Sequence, residues 1–173
     1  SVSAWAGQHR MLSSKASAEP GRWRTSRTPY LREIMDCLSP ASPIERVVFM
    51  KGAQIGGTEA GSCWIGYVIH HAPGPMMAVW PTVEMAKRNS KQRIDPLIEE
   101  SPALARLIAP ARSRDAGNTI LAKEFRGGVI WDFTLAAYDQ FFVTRGLFGD
   151  EPAQVEWTYI TIFARSIWQA VVC

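Results

Sequence analysis

Apolar residues recur along the chain with two spacings, and each spacing predicts a type of secondary structure. In residues 29–38 and 60–68 they fall on every third or fourth position, which predicts a short helix opening at Pro29 and a longer amphipathic helix packed on a sheet. The short apolar runs 46–50 and 76–80 predict strands buried in a mainly parallel sheet. Strands that alternate with helices indicate the α/β class.

Turn and capping residues predict further elements. Thr82 after Pro81 is a good N-cap residue, so a helix is predicted to begin there. Residues 101–110 predict a short helix closed by proline, and β-rich runs on either side of 126–128 predict an inserted antiparallel hairpin. Residues 1–28 are polar and rich in Ser, Arg and Gly, which predicts an extended or poorly ordered N-terminal arm.

Composition narrows the class of protein. The chain has 173 residues, of which 47% are hydrophobic and 20% charged, and this balance is that of a globular protein rather than a disordered one. No signal peptide and no apolar run of membrane-spanning length is present, so no membrane partner is expected. Three cysteines without C-x-x-C spacing predict reduced thiols in the cytoplasm and no zinc site. Because the first residue is Ser, we expect a fragment or a processed chain.

The distribution of charge bears on the class of partner, and the positions of the histidines bear on whether a metal site is present. The net charge is +3, and the basic excess lies in the first half of the chain, which is compatible with a polyanionic partner. His70 and His71 are adjacent and have no Cys or carboxylate at ligand spacing. A pair at a helix end near solvent is therefore favoured over a metal site.

The stretch KGAQIGGTEAG, which begins at Lys51, resembles a phosphate-binding P-loop with its lysine displaced. When Thr58 is aligned with the end of the pattern G-x-x-x-x-G-K-[ST], Gly56 takes the second glycine and Gly57 takes the lysine position. Lys51 then takes the position of the first glycine, from which its long stem can reach over phosphates. A strand before the loop and a helix after it are the context that a P-loop needs. The alternative is a Gly-rich turn that binds nothing.

Asp150 and Glu151 form an adjacent acidic pair after an apolar stretch, as in P-loop ATPases. In such enzymes an Asp at this place holds Mg²⁺ and the following Glu polarises the attacking water. The alternative is a surface turn before Pro152, because Gly146 and Gly149 weaken the strand that should precede the pair.

From about Trp5 to Gly128 the chain resembles the N-terminal ATPase domain of phage terminase large subunits of the lambda (GpA-like) type. The likeness is carried by four blocks in the same order, residues 18–39, 45–61, 72–104 and 111–128. The resemblance implies a three-layer P-loop NTPase core that binds ATP with Mg²⁺ and powers viral DNA packaging. It also implies double-stranded viral DNA, a terminase small subunit and a capsid portal as partners, homo-oligomers of the full-length protein, and the host cytoplasm as location.

The resemblance also implies roles for residues of the loop. Lys51 would contact phosphate, because lambda-type motors carry their lysine at the start of the loop, and Thr58 would meet Mg²⁺. The residues between them would line the ATP site: Gly52, Ala53, Gln54, Ile55, Gly56 and Gly57. Tyr30 matches an aromatic proposed to lie against adenine, with packing on the core as the alternative. Asp150 would be the second metal ligand and Glu151 the catalytic residue.

Other basic positions receive weaker assignments. Lys87, Arg88, Lys91 and Arg93 on one helix would contact DNA phosphates, or form a solvated helix face. Residues 80–82 resemble a second helicase-like motif, although Thr82 as a plain N-cap is simpler. Arg112 and Arg114 lie where packaging motors often place an arginine that reaches a neighbour's γ-phosphate.

After Gly128 the chain departs from the family, and this departure shapes the expected domains. A polar arm is expected over 1–28, a terminase-type ATPase domain over 29–151 and a divergent apolar tail over 152–173, with the core incomplete at its C-terminal edge and no nuclease domain. Three functions remain open: a working ATPase, a prophage remnant that binds nucleotide without turnover, and a DNA- or partner-binding domain with an idle loop. We expect weak ATP binding, hydrolysis near background, no DNA cleavage, and association through residues 157–173.

Overall fold

The computed structural model of the protein describes residues 1–14, 17, 19–108, 118–134, 162–163 and 169–172. The helices are α1 Val2–His9, α2 Tyr30–Cys37, α3 Gly57–His71, α4 Val83–Asn89, α5 Asp95–Glu100 and α6 Pro102–Ala105. A 3-10 turn covers Thr25–Arg27 and a π-helical turn covers Ser90–Ile94. The strands are β1 Met11–Leu12, β2 Gly21–Arg22, β3 Arg46–Val47, β4 Met76–Trp80, β5 Ala122–Phe125, β6 Gly128–Thr134, β7 Ile162–Phe163 and β8 Gln169–Val172.

A four-stranded mixed sheet in the order β5-β6-β4-β8 organises the fold. Strand β4 runs parallel to both β6 and β8, and all five of its residues are buried. Strands β5 and β6 pair antiparallel through a turn in which Gly127 has φ +93°, a left-handed conformation that favours glycine. The α/β class, the buried strand over 76–80 and the hairpin are thereby confirmed.

Helix α3 passes through the centre of the core. It spans 15 residues, and most of its side chains are buried, including Trp64, whose indole Nε1 donates to the backbone oxygen of Leu38 at 2.9 Å. Leu31 and Met35 of α2 belong to the same buried cluster. The two helices predicted from apolar spacing are confirmed, and α3 begins earlier than its apolar stripe because the loop itself supplies the first turn.

The N-terminal residues form a packed helix, so the expectation of an extended or poorly ordered arm was wrong. Val2, Trp5 and Ala6 of α1 are buried, and the Trp5 ring lies over Gly66 of α3, where an added Cβ would be 2.3 Å from Trp5 Cη2. The backbone N–H of Val2 donates to Ser39 Oγ at 3.0 Å, which fixes the start of α1 on the end of α2. Polar neighbours had masked the helical spacing of these three apolar residues.

The run 46–50 was also predicted wrongly as a buried strand. Only Arg46 and Val47 are in a strand, which pairs antiparallel with β7 outside the main sheet. Val48 is 52% exposed and Met50 is 87% exposed. The physical reason is that β6 and β8 occupy the two edges of β4, so no place beside this central strand is left for 46–50.

Helix α4 begins as predicted, because the Thr82 side chain accepts from the backbone N–H of Met85 at 3.2 Å. Strand β8 is an element that sequence reasoning missed inside the expected apolar tail. Trp157, Tyr159 and Trp168 of that tail lie outside the described residues, so its association stays a prediction. In the part of the chain that the structure describes, no helix is both long enough and apolar enough to cross a membrane.

Candidate functional site

The loop before α3 ends in a left-handed turn that opens the N-terminus of the helix. Gln54 has φ +58° and Gly56 has φ +82°, and Gly56 is the N-cap residue, with no side chain capping the first turn. An added Cβ at Gly56 would lie 3.1 Å from Leu31 Cδ1, so glycine suits both the conformation and the close packing. Uncapped N–H groups at the start of a 15-residue helix form a surface that attracts anions.

Lys51 and Gly57 are brought together across this loop. An added Cβ at Gly57 would lie 2.5 Å from Lys51 Cδ, 2.8 Å from Lys51 Cε and 3.2 Å from Phe49 Cε1. The stem of Lys51 therefore occupies the space in which a side chain at position 57 would begin. Lys51 is exposed, and among the described residues its ammonium group has no hydrogen bond or ion pair, so it is free to meet an anion.

Tyr30 is tied to the same loop. Its hydroxyl donates to the backbone oxygen of Ile55 at 3.0 Å, and the side chain is 52% exposed. The core of α2 is instead formed by Leu31 and Met35, both fully buried. The alternative of Tyr30 packing on the core is therefore wrong, and its ring stands beside the loop, open to solvent.

Thr58 follows in the first turn of α3, and Glu59 after it is held by two arginines. Arg10 Nη2 donates to Glu59 Oε2 at 2.9 Å, and Arg93 Nη1 donates to Glu59 Oε1. Arg10 is only 2% exposed. Sequence reasoning missed Arg10 and Glu59, because partners 49 and 34 residues apart leave no local pattern.

The basic residues after β4 do not share one environment. Lys87 and Arg88 of α4 and Lys91 of the π-helical turn are exposed, and no ion pair with them is seen within the described ranges. Arg93 is instead paired with Glu59, so its guanidinium points back toward α3. The assignment of these residues to DNA stays a prediction.

Strand β6 carries a buried carboxyl group, Asp132, which lies beside β4 and was not anticipated. Trp80 Nε1 donates to Asp132 Oδ1 at 2.9 Å, and Lys123 Nζ pairs with Asp95 Oδ1 at 2.9 Å close by. Burial is the main cause that raises the pKa of Asp132 to about 6, although the Trp80 hydrogen bond and the Lys123 charge oppose it. Trp80, which belongs to the predicted helicase-like motif, therefore has a structural partner in Asp132.

The histidine pair lies at the end of α3, as predicted. Trp5 Nε1 donates to His70 Nδ1 at 3.0 Å, and the His9 ring lies 4.9 Å from the His70 ring between centroids. Burial, with the charges of His9 and His71, lowers the pKa of His70. Among the described residues, no three His, Cys, Asp or Glu side chains are grouped so that they could hold a metal ion.

Asp150 and Glu151, predicted for Mg²⁺ and for water activation, lie outside the described residues. The same holds for Arg112 and Arg114.

Comparison with known proteins gives a consistent result. Residues 17–156 match the family model of the phage terminase large subunit gpA, ATPase domain. The terminase large subunit of Enterobacteria phage P21 is 30% identical over 125 residues, covering 72% of this chain and 19% of the relative. That of Escherichia phage lambda is 27% identical over 124 residues, with the same two coverages of 72% and 19%. The chain thus spans about a fifth of the length of these relatives, 19% in each case. No solved structure matches it.

Proposed function

The chain belongs to the family of phage terminase large subunit gpA ATPase domains, and from this premise we propose that its loop from Lys51 to Thr58 binds the phosphates of ATP together with Mg²⁺. The family implies the use of a nucleotide. We further propose that the fold is a three-layer P-loop core, and the mixed sheet with its helices supports this proposal.

The observation that carries the proposal is the position of the Lys51 stem over Gly57. In the common P-loop pattern the lysine stands at position 57 and reaches the β- and γ-phosphates. Here the aliphatic stem of Lys51 fills that place, with Cδ 2.5 Å from the point where a Cβ of residue 57 would lie. The ammonium of Lys51 can therefore act from the opposite end of the loop. Charge-assisted contacts of this kind are about twice as strong as neutral ones.

Phosphate would rest on the backbone of the loop. The N–H groups at the start of α3 point out of the helix, and the helix dipole favours negative charge there. Gly56 and Gly57 add no side chains of their own to the loop, while Gln54 turns the chain with its positive φ of 58°. Gly52, Ala53 and Ile55 would line the same cradle.

Mg²⁺ would be held by the Thr58 hydroxyl and by the carboxylate of Asp150. When bound there, the ion would supply positive charge that offsets the negative charge of the phosphate oxygens. Glu151 would orient and polarise the attacking water. Positioning dominates this chemistry, so turnover depends on whether Glu151 is held close to the γ-phosphate.

Tyr30 would contact the adenine ring. Its hydroxyl is anchored on Ile55 of the loop at 3.0 Å, which fixes the direction of a ring that is 52% exposed. Because the ring is already fixed in direction and is exposed to solvent, adenine would stack on it at small cost in side-chain entropy.

The wider role we propose is that of the ATPase domain in viral DNA packaging. Lys87, Arg88 and Lys91 are exposed on one stretch of helix, where their charges can follow the phosphates of double-stranded DNA. A terminase small subunit, a capsid portal and further copies of the full-length protein would be the other partners.

Titration of the chain with a fluorescent ATP analogue and Mg²⁺ tests the nucleotide site. Lys51→Ala should weaken binding by about 1.5–3 kcal/mol, the range expected when a charge-assisted hydrogen bond is lost. Arg106→Ala removes an exposed positive charge from the end of α6 and is the matched control. Equal affinity of the unmodified chain and Lys51→Ala would exclude the role of Lys51.

A further inference from the structure

Glu59 lies at the centre of a charged cluster that the proposed nucleotide site does not use. It follows Thr58 in the first turn of α3, and each of its carboxylate oxygens accepts from a different arginine. Arg10 comes from the end of α1, and Arg93 comes from the π-helical turn after α4. The cluster therefore connects the start of α3 with two elements that are distant in sequence.

Arg10 is the fixed partner of Glu59. Its side chain is 2% exposed, its Nη1 donates to the backbone oxygen of Met11 at 2.8 Å, and its Nε is buried without a partner. A guanidinium buried in this way needs the Glu59 carboxylate to offset the loss of water. The carboxylate is thus held in place on this side.

Arg93 is the partner of Glu59 that can leave the carboxylate and bind another group. Its side chain is 36% exposed, so breaking its ion pair with Glu59 in water costs little. A guanidinium also binds phosphate oxygens in a bidentate manner. Lys87, Arg88 and Lys91 precede Arg93 on the same stretch of helix, and we call residues 87–93 the basic segment.

We propose that Glu59 is a positioning residue that couples the phosphate loop to the basic segment, with Arg93 as the movable link. The inference rests on the proposed nucleotide site. ATP with Mg²⁺ carries more negative charge than Lys51 neutralises, so a bound nucleotide makes the potential beside Glu59 more negative. Arg93 is then attracted more strongly to α3, and the basic segment is held more rigidly. A DNA phosphate at the basic segment would compete for the same guanidinium.

Hydrogen–deuterium exchange of the 173-residue chain, with and without Mg²⁺ and a slowly hydrolysed ATP analogue, tests this coupling. In the unmodified chain, nucleotide should slow exchange in peptides covering 51–58 and also in those covering 87–94. In Glu59→Gln the first group should still respond, whereas the response of 87–94 should be lost. Glu99→Gln removes an exposed carboxylate at the end of α5 and should keep both responses.

A second pair of variants covers the case in which Glu59→Gln does not fold, because that change leaves Arg10 buried without its carboxylate. Arg93→Met keeps the pair between Arg10 and Glu59 and should lose only the response of 87–94. Lys91→Met removes the same charge two residues earlier and should retain that response.

The outcomes separate the two proposals. If peptides of 51–58 show no slowing in the unmodified chain, the nucleotide site is wrong and the coupling is rejected with it. If 51–58 respond but 87–94 do not, or if 87–94 respond equally in the unmodified chain and Arg93→Met, the nucleotide site stands and the coupling is rejected.

Discussion

The side chain of Lys51 lies across the α-carbon of Gly57, with Cδ 2.5 Å and Cε 2.8 Å from the point where a Cβ of residue 57 would stand. These two residues are at opposite ends of the loop that opens α3. A side chain at position 57 and the present path of Lys51 exclude each other. A loop that has glycine at position 57 can therefore still place a lysine side chain beside the first turn of α3, because that side chain comes from Lys51.

The first prediction concerns Gly57→Ala. The new methyl group would displace the flexible stem of Lys51 and so should weaken binding of the fluorescent ATP analogue by about 1.5–3 kcal/mol. Folding should not suffer, because Gly57 is helical with an ordinary φ. Gly57→Lys should restore binding, since it brings a lysine to the common position. Affinity that stays unchanged in Gly57→Ala would contradict the displacement.

Gly61→Ala is the matched control for this variant. Gly61 lies in the same helix, and apart from the adjoining residues and backbone of that helix no atom lies within 4 Å of its added Cβ. The substitution should leave nucleotide affinity unchanged and should stabilise the chain by about 0.5–1 kcal/mol, because alanine favours a helix interior.

The second prediction concerns Gly66→Ala, which tests the packing of α1. An added Cβ there would lie 2.3 Å from Cη2 and 2.8 Å from Cζ3 of the buried Trp5 ring. A rigid ring in a packed core cannot move aside as a lysine stem can, so overpacking should destabilise the chain by about 1–3 kcal/mol. Urea denaturation measures the change, again against Gly61→Ala. Stability equal to that of Gly61→Ala would show that α1 is not held on α3.

Features that depend on neighbours in sequence were predictable. The spacing of apolar residues located α2 and α3, and the side chain of Thr82 capped α4 as its position implied. The Gly-rich turn after Arg126 similarly located the hairpin. In each case the interaction that defines the element lies within a few residues.

Features that depend on distant partners were not predictable. Residues 47–50 are as apolar as 76–80, but only 76–80 form an inner strand of the main sheet, because β6 and β8 occupy both sides of that strand. The contact of Glu59 with Arg10 and Arg93 likewise follows from the folded arrangement and not from spacing. The loop sequence alone suggested a displaced lysine, but it did not show that the stem of Lys51 reaches Gly57.

The third prediction concerns Asp132, whose pKa burial raises to about 6 from its ordinary value of 3.8. Because the folded chain then holds this proton more tightly than the unfolded chain, the stability linked to Asp132 should fall as pH rises from about 4 to about 6. Asp132→Asn keeps an oxygen that accepts from Trp80 and does not ionise. Its stability relative to the unmodified chain should therefore increase over this range, by about 1.4 kcal/mol for each pH unit.

Urea denaturation at several pH values gives this difference. Glu124→Gln on the exposed face of β5 is the control, and its difference from the unmodified chain should not follow the same course. A relative stability of Asp132→Asn that is the same at pH 4 and pH 7 would contradict a raised pKa.

The fourth prediction concerns His70, which accepts from Trp5 Nε1 at 3.0 Å through Nδ1 and must be neutral at that atom to do so. Burial and the charges of His9 and His71 lower the pKa of His70 below its ordinary value of 6.5. The unfolded chain therefore takes up this proton at a higher pH than the folded chain. Stability linked to His70 should be complete above pH 6.5 and should decline as pH falls below that value.

His70→Gln retains an acceptor for Trp5 and does not titrate, so its stability should decline less between pH 7.5 and pH 5.5. Gly61→Ala, which changes no titratable group, should decline as the unmodified chain does. Equal declines in all three chains would show that His70 does not carry this pH dependence, and that the contact between α1 and the end of α3 withstands its protonation.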